Sequence, residues 1–369
     1  MRIPVAQPSI TAREIEACKD AVASGWVSQG KRVEEFEELI AVRHGKKYGI
    51  ACNSGTSALH LALAALNIGP GDFVVCPTMT MVAVPNAARF VGAIPVFIDS
   101  ESITGNMDQD KAVDALHRFH AKAVIAPHLY GVPACVEKLP PEILIEDCAE
   151  SHYASHSNGR PVGSIGTLAC FSFYANKIVC TGEGGIVLTD HDDVAHRLRA
   201  LRSHAFSEHE HFHHQELAFG YRMTDLQAAL GIAQHYRHAE LLKRREDLAR
   251  QYLQRLEAFD WISVQSHPRG SVWWVMPLLI EDDAPVSRDE LRERFSEADI
   301  ETRTWFKPMH QQPHLSMFSG SESFPIAEGL YRRGIYLPLY PDLTEAELDR
   351  ILDVIDKAHA NRSRAATKF

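Results

Sequence analysis

One lysine, Lys177, lies in a sequence context that could support covalent chemistry. It lies between a short apolar run and a glycine-rich turn, in the segment Phe171-Ser-Phe-Tyr-Ala-Asn-Lys177 followed by Ile-Val-Cys-Thr-Gly-Glu-Gly-Gly185. A lysine amine forms a Schiff base with an aldehyde cofactor, and desolvation lowers its pKa enough to make it a nucleophile. The alternative is a surface lysine beside an ordinary turn. This segment alone favours that alternative, so its surroundings decide.

A second segment could bind a phosphate group. Asn53-Ser-Gly-Thr-Ser57 stands where a predicted strand leads into a predicted helix. Backbone N–H groups at a helix N-terminus bind phosphate through hydrogen bonds and the helix dipole. Gly55 allows close approach, while Ser54 and Thr56 add hydroxyl donors. A plain N-cap turn would give the same pattern.

An aspartate completes the set. Asp147 ends the apolar run Ile143-Leu-Ile-Glu-Asp147, and ligands of open α/β sheets bind outside the carboxyl ends of the strands. A carboxylate there can pair with a protonated ring nitrogen, although it could equally be an N-cap or a structural salt bridge. Ser172 could donate to a phosphate or to a neighbouring carbonyl. A phosphate cup, a pyridinium partner and a Schiff-base lysine together predict pyridoxal phosphate as the cofactor.

The elements that must position these residues alternate between strands and helices over the first ~200 residues, which is typical of a largely parallel sheet. The expected strands are Tyr48–Cys52, Phe73–Pro77, Ile94–Asp99, Ala123–His128, Ile143–Asp147, Ala169–Tyr174 and Gly185–Thr189. The expected helices of this part are Ile10–Ser24, with a capping box between Thr11 and Glu14, and Val33–His44, Ala58–Leu66 and Thr80–Val91. A single charged helix over Leu226–Leu256 is expected to connect two domains. Beyond it we expect a strand over Ser271–Ile280 and helices over Arg288–Ala298 and Thr344–Ala358. We therefore predict an α/β protein with a large domain over residues 1–240, including an N-terminal arm, and a small α/β domain over residues 241–369.

Composition excludes several classes of protein. The net charge is -10 over 369 residues, which argues against nucleic-acid binding. No apolar run approaches the ~18 residues of a membrane span. Seven cysteines without a Cys-x-x-Cys pair, in a chain without a signal-peptide pattern, favour a cytoplasmic protein. The five histidines within residues 203–214 match no metal-site spacing, so we expect a solvated loop and no metal.

The chain resembles the DegT/DnrJ/EryC1/StrS family of sugar aminotransferases. The likeness covers nearly the whole chain, and beside the Lys177 segment it is carried by Ser24-Gly-Trp-Val-Ser-Gln-Gly30, Asn53-Ser-Gly-Thr-Ser-Ala-Leu59, Gly69-Pro-Gly-Asp72, Gly92-Ala-Ile-Pro-Val-Phe-Ile-Asp99, His128-Leu-Tyr-Gly131 and Glu146-Asp-Cys-Ala-Glu150. Within the family the chain is most similar to GDP-perosamine synthases, through Gly220-Tyr-Arg-Met-Thr224, Glu301-Thr-Arg-Thr-Trp-Phe-Lys-Pro-Met-His310 and Phe324-Pro-Ile-Ala327.

This resemblance implies the fold-type I architecture of aspartate aminotransferase, with a mostly parallel seven-stranded sheet. It implies that Lys177 and Asp147 are catalytic. The implied cofactor-binding residues are Ser54, Gly55, Thr56, Met81, Asp147, Glu150, Ser172 and Lys177. The implied substrate-binding residues are Ser9, His214, Arg222, Arg303 and His310. The family's enzymes are homodimers with active sites at the interface.

Two positions depart from the family pattern. Met81 stands where relatives usually have an aromatic residue against the cofactor ring, and methionine can still pack on a ring face. Gly220 stands where many relatives have an asparagine that reaches the partner's cofactor phosphate, a contact that water or Arg222 could replace.

The implied reaction transfers an amino group from L-glutamate to GDP-4-keto-6-deoxy-D-mannose and gives GDP-perosamine. One alternative is the same transfer to a UDP- or dTDP-linked 4-ketosugar. Another is dehydration of the sugar, but relatives that dehydrate carry histidine in place of the lysine at position 177. A third alternative is a non-catalytic nucleotide-sugar sensor, which retention of the whole cofactor set disfavours.

Overall fold

Seven strands form the main sheet. The computed structural model of the chain describes residues 2–207, 210 and 212–366. The strands lie in the order β1-β7-β6-β5-β4-β2-β3. Their bounds are β1 Tyr48–Cys52, β2 Phe73–Pro77, β3 Ile94–Ile98, β4 Ala123–Pro127, β5 Leu144–Asp147, β6 Leu168–Ser172 and β7 Gly185–Thr189. Each of the seven short apolar runs is therefore a strand, as predicted.

Six strands of this sheet point the same way, and β7 is antiparallel to both of its neighbours. This confirms the predicted α/β class with a mostly parallel sheet. The arrangement brings Cys52, Asp147 and Ser172 to the same edge, because each ends one of the parallel strands. The candidate residues that follow these strands therefore meet there.

The sheet is covered on both faces. Alternate residues of a strand point to opposite faces, and Val74 and Cys76 of β2 belong to one core cluster while Val75 belongs to another. The flanking helices are α1 Ala12–Ala23, α2 Lys31–Arg43, α3 Gly55–Ala65, α4 Ala83–Phe90, α5 Gln109–Phe119 and α6 Asp192–Arg202. Helix α1 begins with a capping box between Thr11 and Glu14, as its sequence predicts.

A smaller antiparallel sheet forms the rest of the chain. Its order is β10-β11-β9-β8, with bounds β8 Ile262–Val264, β9 Met276–Ile280, β10 Arg303–Thr304 and β11 Gly334–Leu337. Helix α7 Asp225–Tyr236 still packs on α1 and α2 of the large part. The later helices are α8 His238–Leu256, α9 Arg288–Glu297, α10 Pro325–Arg333 and α11 Glu345–Ala366. A separate core cluster joins this sheet to α8, α9 and α11.

The prediction of a single connecting helix over Leu226–Leu256 is wrong. Arg237, with φ −101° and ψ 2°, separates α7 from α8. Its buried guanidinium donates to Glu14 Oε1 at 2.7 Å and to the backbone oxygen of Ser9 at 3.2 Å. The break therefore coincides with a buried contact to the N-terminal arm that helical periodicity does not register.

The proposed domain boundary at residue 240 stays a prediction. The main-sheet cluster also contains Trp305, Met309 and Leu315, which follow β10 of the small sheet. The chain thus returns to the large core before its last helices. Within the described residues, none of the helices combines the length and apolar character needed to cross a membrane.

Candidate active site

A cavity of about 360 Å³ opens beside the edge of the main sheet where the parallel strands end. This volume is within the range of small-molecule sites, roughly 300–1,000 Å³. The structure brings all eight predicted cofactor residues to its wall: Ser54, Gly55, Thr56, Met81, Asp147, Glu150, Ser172 and Lys177. Residues from four separate segments of the chain thus meet at one site.

The N-terminus of α3 faces this cavity. Ser54 is the N-cap, and its hydroxyl accepts from the Ser57 backbone N–H at 3.1 Å. Within the described residues, no hydrogen bond takes up the N–H groups of Gly55 and Thr56. Unpaired N–H groups at a helix N-terminus attract anions. A phosphate group fits this end of the cavity.

Gly55 is required by a close approach between α3 and β6. A Cβ atom at this position would lie 2.6 Å from the Cβ of Ser172, which is far inside van der Waals contact. Because glycine lets the two segments touch, the Ser172 hydroxyl lies beside the first turn of α3. The helix terminus and the serine can therefore hold the same anion.

Asp147 presents a buried carboxyl to the cavity. One of its oxygens accepts from the Ala149 backbone N–H at 3.1 Å. Burial raises the pKa of Asp147, and this hydrogen bond and the nearby Lys177 oppose the rise. A cationic group opposite Asp147 would keep it ionised. The protonated nitrogen of a pyridine ring is such a group.

The strand residue before Asp147 anchors this part of the sheet. Glu146 is completely buried and its two oxygens accept five hydrogen bonds. The donors are the rings of His128 and His156, both at 3.1 Å, and the backbone N–H groups of residues 163, 165 and 166 at 2.7–2.9 Å. Burial opposes ionisation of Glu146, but the contacts with His128 and His156 and the Gly166 N–H together outweigh it and hold its pKa well below the usual range.

His128, Glu146 and Cys148 place their potential ligand atoms within 4.8 Å of one another. This geometry alone would suit a metal ion. However, the Glu146 oxygens already accept their five hydrogen bonds, and the Nδ1 atom of His128 accepts from Ala134 N at 2.9 Å. The cluster is therefore explained by its internal hydrogen bonds.

Lys177 places its amine in a partly desolvated position. Loss of water around the amine lowers its pKa, while the carboxyl groups of Glu150 and Asp147 raise it, and the lowering is larger. A lysine with a lowered pKa holds a larger fraction of the reactive neutral amine at neutral pH. This is the property that Schiff-base chemistry requires.

Glu150 lies near this amine. It is buried, and its Oε2 accepts from the Tyr130 backbone N–H at 2.8 Å. Burial raises the pKa of Glu150 to about 7, although Lys177 and the Tyr130 hydrogen bond act in the opposite direction. Glu150 can therefore gain or lose a proton close to neutral pH.

Tyr130 and Gly131, which follow the cavity-lining Leu129, have an unusual backbone. Tyr130 has φ 55° and Gly131 has φ 95°, the left-handed region that glycine tolerates best. A Cβ atom on Gly131 would lie 1.9 Å from the Val272 oxygen, and Val272 N donates to Gly131 O at 3.0 Å. This contact ties the main-sheet side of the cavity to the chain that precedes β9.

That contact also explains a second correction. The strand predicted over residues 271–280 begins only at Met276. The residues before it turn towards the cavity, where Trp274 lines the wall and its Nε1 donates to Asn176 O at 2.8 Å. The apolar run is unbroken from Val272 to Met276 and so does not reveal the turn.

Two polar atoms indicate that the cavity is built for a polar molecule. Thr80 Oγ1 and Asn176 Oδ1 are buried, and neither has a hydrogen-bond partner among the described residues. Both residues line the cavity. Buried polar atoms without partners are costly. Together with the anion site and Asp147, they show that the residues present fit pyridoxal phosphate.

Several cavity residues were missed by the sequence analysis: Thr80, Asn176, Trp274, Phe306 and Tyr336. Asn176 adjoins Lys177 and Thr80 adjoins Met81, so proximity to a predicted residue was an available signal. The three aromatic residues come from the last third of the chain. Phe306 lies within the quoted segment Glu301–His310, which was the available signal for it, whereas nothing in the sequence places Trp274 or Tyr336 at the cavity.

The five predicted substrate residues do not line this cavity. Ser9 is buried beneath Arg237, and His310 is hydrogen-bonded through both ring nitrogens, to Thr78 at 2.7 Å and to Glu328 at 2.9 Å. The other three, His214, Arg222 and Arg303, are exposed. Their substrate roles remain predictions.

The positions that depart from the family pattern are both accessible. Met81 lines the cavity and is 49% exposed, so a flat ring could pack against it. Gly220 is exposed and pairs with Ser203, and Arg222 donates to the Ser203 hydroxyl at 3.1 Å. In the histidine-rich loop, His209 and His211 lie outside the described residues.

Comparisons with known proteins identify the family of this chain. The model of the DegT/DnrJ/EryC1/StrS aminotransferase family matches residues 8–356. A GDP-perosamine synthase from Caulobacter vibrioides is 35% identical over 366 residues, covering 96% of this chain and 98% of the relative. A GDP-perosamine synthase from Escherichia coli O157:H7 is 33% identical, covering 98% and 99%.

Solved structures give the same result. The apo-form of Spr1654 from Streptococcus pneumoniae superposes with a TM-score of 0.91 at 25% identity, covering 99% of this chain and 100% of that one. Its PLP-form superposes with a TM-score of 0.89 at 27% identity, covering 97% and 100%. This likeness confirms the expected fold-type I architecture.

Proposed function

Because this chain belongs to the DegT/DnrJ/EryC1/StrS aminotransferase family, we propose that it aminates a nucleotide-linked 4-keto-6-deoxy sugar. The chain is a pyridoxal-phosphate-dependent sugar aminotransferase. We propose GDP-4-keto-6-deoxy-D-mannose as the acceptor, L-glutamate as the donor and GDP-perosamine as the product. The nearly full-length similarity to two GDP-perosamine synthases supports this acceptor. The same transfer to a UDP- or dTDP-linked 4-ketosugar is the alternative.

One observation carries the proposed chemistry: Lys177, Asp147 and the N-terminus of α3 surround a single cavity. In our proposal the N–H groups of Gly55 and Thr56 hold the cofactor phosphate together with the hydroxyls of Ser54 and Ser172. Asp147 stabilises the protonated ring nitrogen. When bound, pyridoxal phosphate supplies an electron-poor ring that accepts the negative charge left when a proton is removed from the neighbouring carbon.

The chain's own groups then move the proton. The Nζ atom of Lys177 takes it from the donor carbon and later returns one to the sugar side, and its lowered pKa makes the neutral amine that accepts the proton more available. Glu150, with its pKa raised to about 7, can hold a proton near the Nζ atom of Lys177. Trp274, Phe306 and Tyr336 form aromatic walls that limit the entry of water.

We propose that the active enzyme is a homodimer with its sites at the interface. Among the described residues lining the cavity, Lys177 is the only lysine or arginine, whereas a nucleoside diphosphate and glutamate carry several negative charges. Large apolar side chains on and beside α1 are also exposed, including Ile15 at 61% and Trp26 at 60%.

The cysteines of the chain are free thiols, which supports the cytoplasm as its compartment.

Absorption and product mass test the reaction. The purified chain should absorb visible light through cofactor bonded to Lys177, and Lys177→Ala should lose both this band and turnover. Lys19→Ala, at an exposed lysine paired with the exposed Glu16, is the matched control and should keep both. A Lys177→Ala enzyme with full turnover would refute the proposal.

A panel of GDP-, UDP- and dTDP-linked 4-ketosugars with L-glutamate identifies the acceptor. Mass spectrometry should find an amino group in place of the keto oxygen, fastest with the GDP-linked sugar. Faster turnover of a UDP- or dTDP-linked sugar would replace the proposed acceptor. A deoxygenated product would instead assign the chain to sugar dehydration.

A further inference from the structure

The face of one indole ring lies against the Lys177 amine. Lys177 Nζ is 4.1 Å from the centroid of the Trp274 ring, and Trp274 is only 4% exposed. A cation within about 6 Å of an indole face is attracted by the ring's negative quadrupole, and tryptophan gives the strongest such contact. The chain therefore provides a binding place for the protonated amine that the cofactor residues do not account for.

Three contacts hold this ring in place. Trp274 Nε1 donates to Asn176 O at 2.8 Å, one residue before Lys177. Trp274 O accepts from Arg245 Nη1 at 2.9 Å, which ties the backbone to α8. The ring also lies parallel to Tyr130, with an angle of 10° between the planes. A side chain that only filled space would need none of these directional contacts.

The charged surroundings of Lys177 make the position of the amine important. Asp147 and Glu150 attract the protonated amine, and both line the cavity. The buried His152 stays neutral, because burial first and Lys177 second lower its pKa to about 3. Without another contact, the released amine could swing towards either carboxyl group. The indole face gives it a third position.

We propose that Trp274 is a positioning residue that holds the protonated Lys177 amine against its ring whenever this amine is not bonded to the cofactor. The inference rests on the proposed function, in which Lys177 is released and then acts as a proton carrier. The ring stabilises the cationic form and so partly offsets the lowering of the Lys177 pKa by burial. It also keeps Nζ inside the cavity.

The test measures the Lys177 pKa directly. The full chain is freed of cofactor and labelled with trace acetic anhydride over a range of pH, and mass spectrometry quantifies acetylation at Lys177. Trp274→Leu should lower the apparent pKa by about one pH unit, as expected for loss of a desolvated cation–π contact. Trp274→Phe should lower it by less, since a phenyl ring binds a cation more weakly. Trp273→Leu, which removes the neighbouring and less buried indole, should leave it unchanged.

The sign of the shift separates positioning from simple packing. If Trp274 only filled space, a smaller leucine would admit water, relieve the desolvation of the amine and raise the Lys177 pKa. A raised or unchanged pKa in a folded Trp274→Leu protein, checked by circular dichroism, overturns the proposal. If Trp274→Leu does not fold, Trp274→Phe decides, and an unchanged Lys177 pKa in that variant overturns it equally.

Kinetics of the holoenzyme give a second readout. In Trp274→Phe, kcat should fall and the acidic limb of its pH profile should move to lower pH, while KM for the sugar stays constant. A changed KM with an unmoved pH profile would contradict a positioning role. The labelling needs neither sugar nor donor, so a wild-type protein without aminotransferase activity would contradict the proposed function without obscuring the shift at Lys177.

Discussion

The carboxyl group of Glu150 makes the stability of the cofactor-free protein depend on pH. Burial raises its pKa from 4.5 to about 7 in the folded chain, whereas in the unfolded chain the group titrates near its ordinary value. Between these values the folded state binds more protons than the unfolded state, so unfolding free energy falls as pH rises. The stabilising contribution of Glu150 to the unfolding free energy is complete below pH 4.5 and is lost as the pH rises through about 7.

The substitution Glu150→Gln removes this titration and keeps an oxygen that can accept from Tyr130 N. A rise from 4.5 to about 7 corresponds to roughly 3 kcal/mol of unfolding free energy, at about 1.36 kcal/mol per pH unit. We therefore expect Glu150→Gln to gain roughly 3 kcal/mol relative to wild type when the pH is raised from 5 to 8. At pH 5 the two proteins should differ little.

Urea unfolding of the cofactor-free protein, followed by circular dichroism at pH 5 and pH 8, measures this difference. The exposed Glu142 supplies the control, because Glu142→Gln should track wild type at both values. Equal offsets between Glu150→Gln and wild type at pH 5 and pH 8 would refute the assignment of a raised pKa to Glu150. A stability gain of Glu150→Gln that is larger at pH 5 than at pH 8 would mean that folding lowers the pKa of Glu150.

Two further outcomes follow from packing and charge. Gly55→Ala should weaken pyridoxal phosphate binding at least about tenfold in a spectroscopic titration, since its methyl group would lie 2.6 Å from the Cβ atom of Ser172. The control Gly69→Ala, with open space around it, should bind the cofactor normally. Equal affinities of the two variants would contradict the proposed phosphate site at the N-terminus of α3. Arg237→Ala should cost about 3–5 kcal/mol in urea unfolding because it removes the cation paired with the buried Glu14 and leaves that carboxylate with neutral donors alone. Lys19→Ala at an exposed pair should cost less than about 1 kcal/mol, and similar losses in both would contradict the buried pair's role.

The main sheet could be predicted because its strands are short, apolar and separated by clear turns. The bounds expected for β1, β2 and β7 agree with the structure residue for residue. Helices α5, α6 and α10 were not among the predicted elements, and the break at Arg237 carries no proline or glycine. That break depends on a contact with Glu14 far away in the chain, which local sequence patterns cannot express.

The cofactor side of the cavity could be predicted because its residues sit at strand ends and at one helix terminus. Position relative to an element fixes where such residues lie, as Asp147 and Gly55 illustrate. The opposite wall of the cavity could not be predicted, because Trp274 reaches Lys177 through the packing of the small-sheet part of the chain against the main sheet. The predicted substrate residues depend on surfaces beyond this cavity.

The five hydrogen bonds to Glu146 have a consequence for local motion. Residues 148–167, between β5 and β6, contain no helix or longer strand, and such a segment would ordinarily exchange its amide hydrogens quickly. Here the N–H groups of Gly163, Ile165 and Gly166 are fastened to a buried carboxylate. We therefore expect these three N–H groups to exchange with solvent as slowly as the amides of the neighbouring strands β5 and β6.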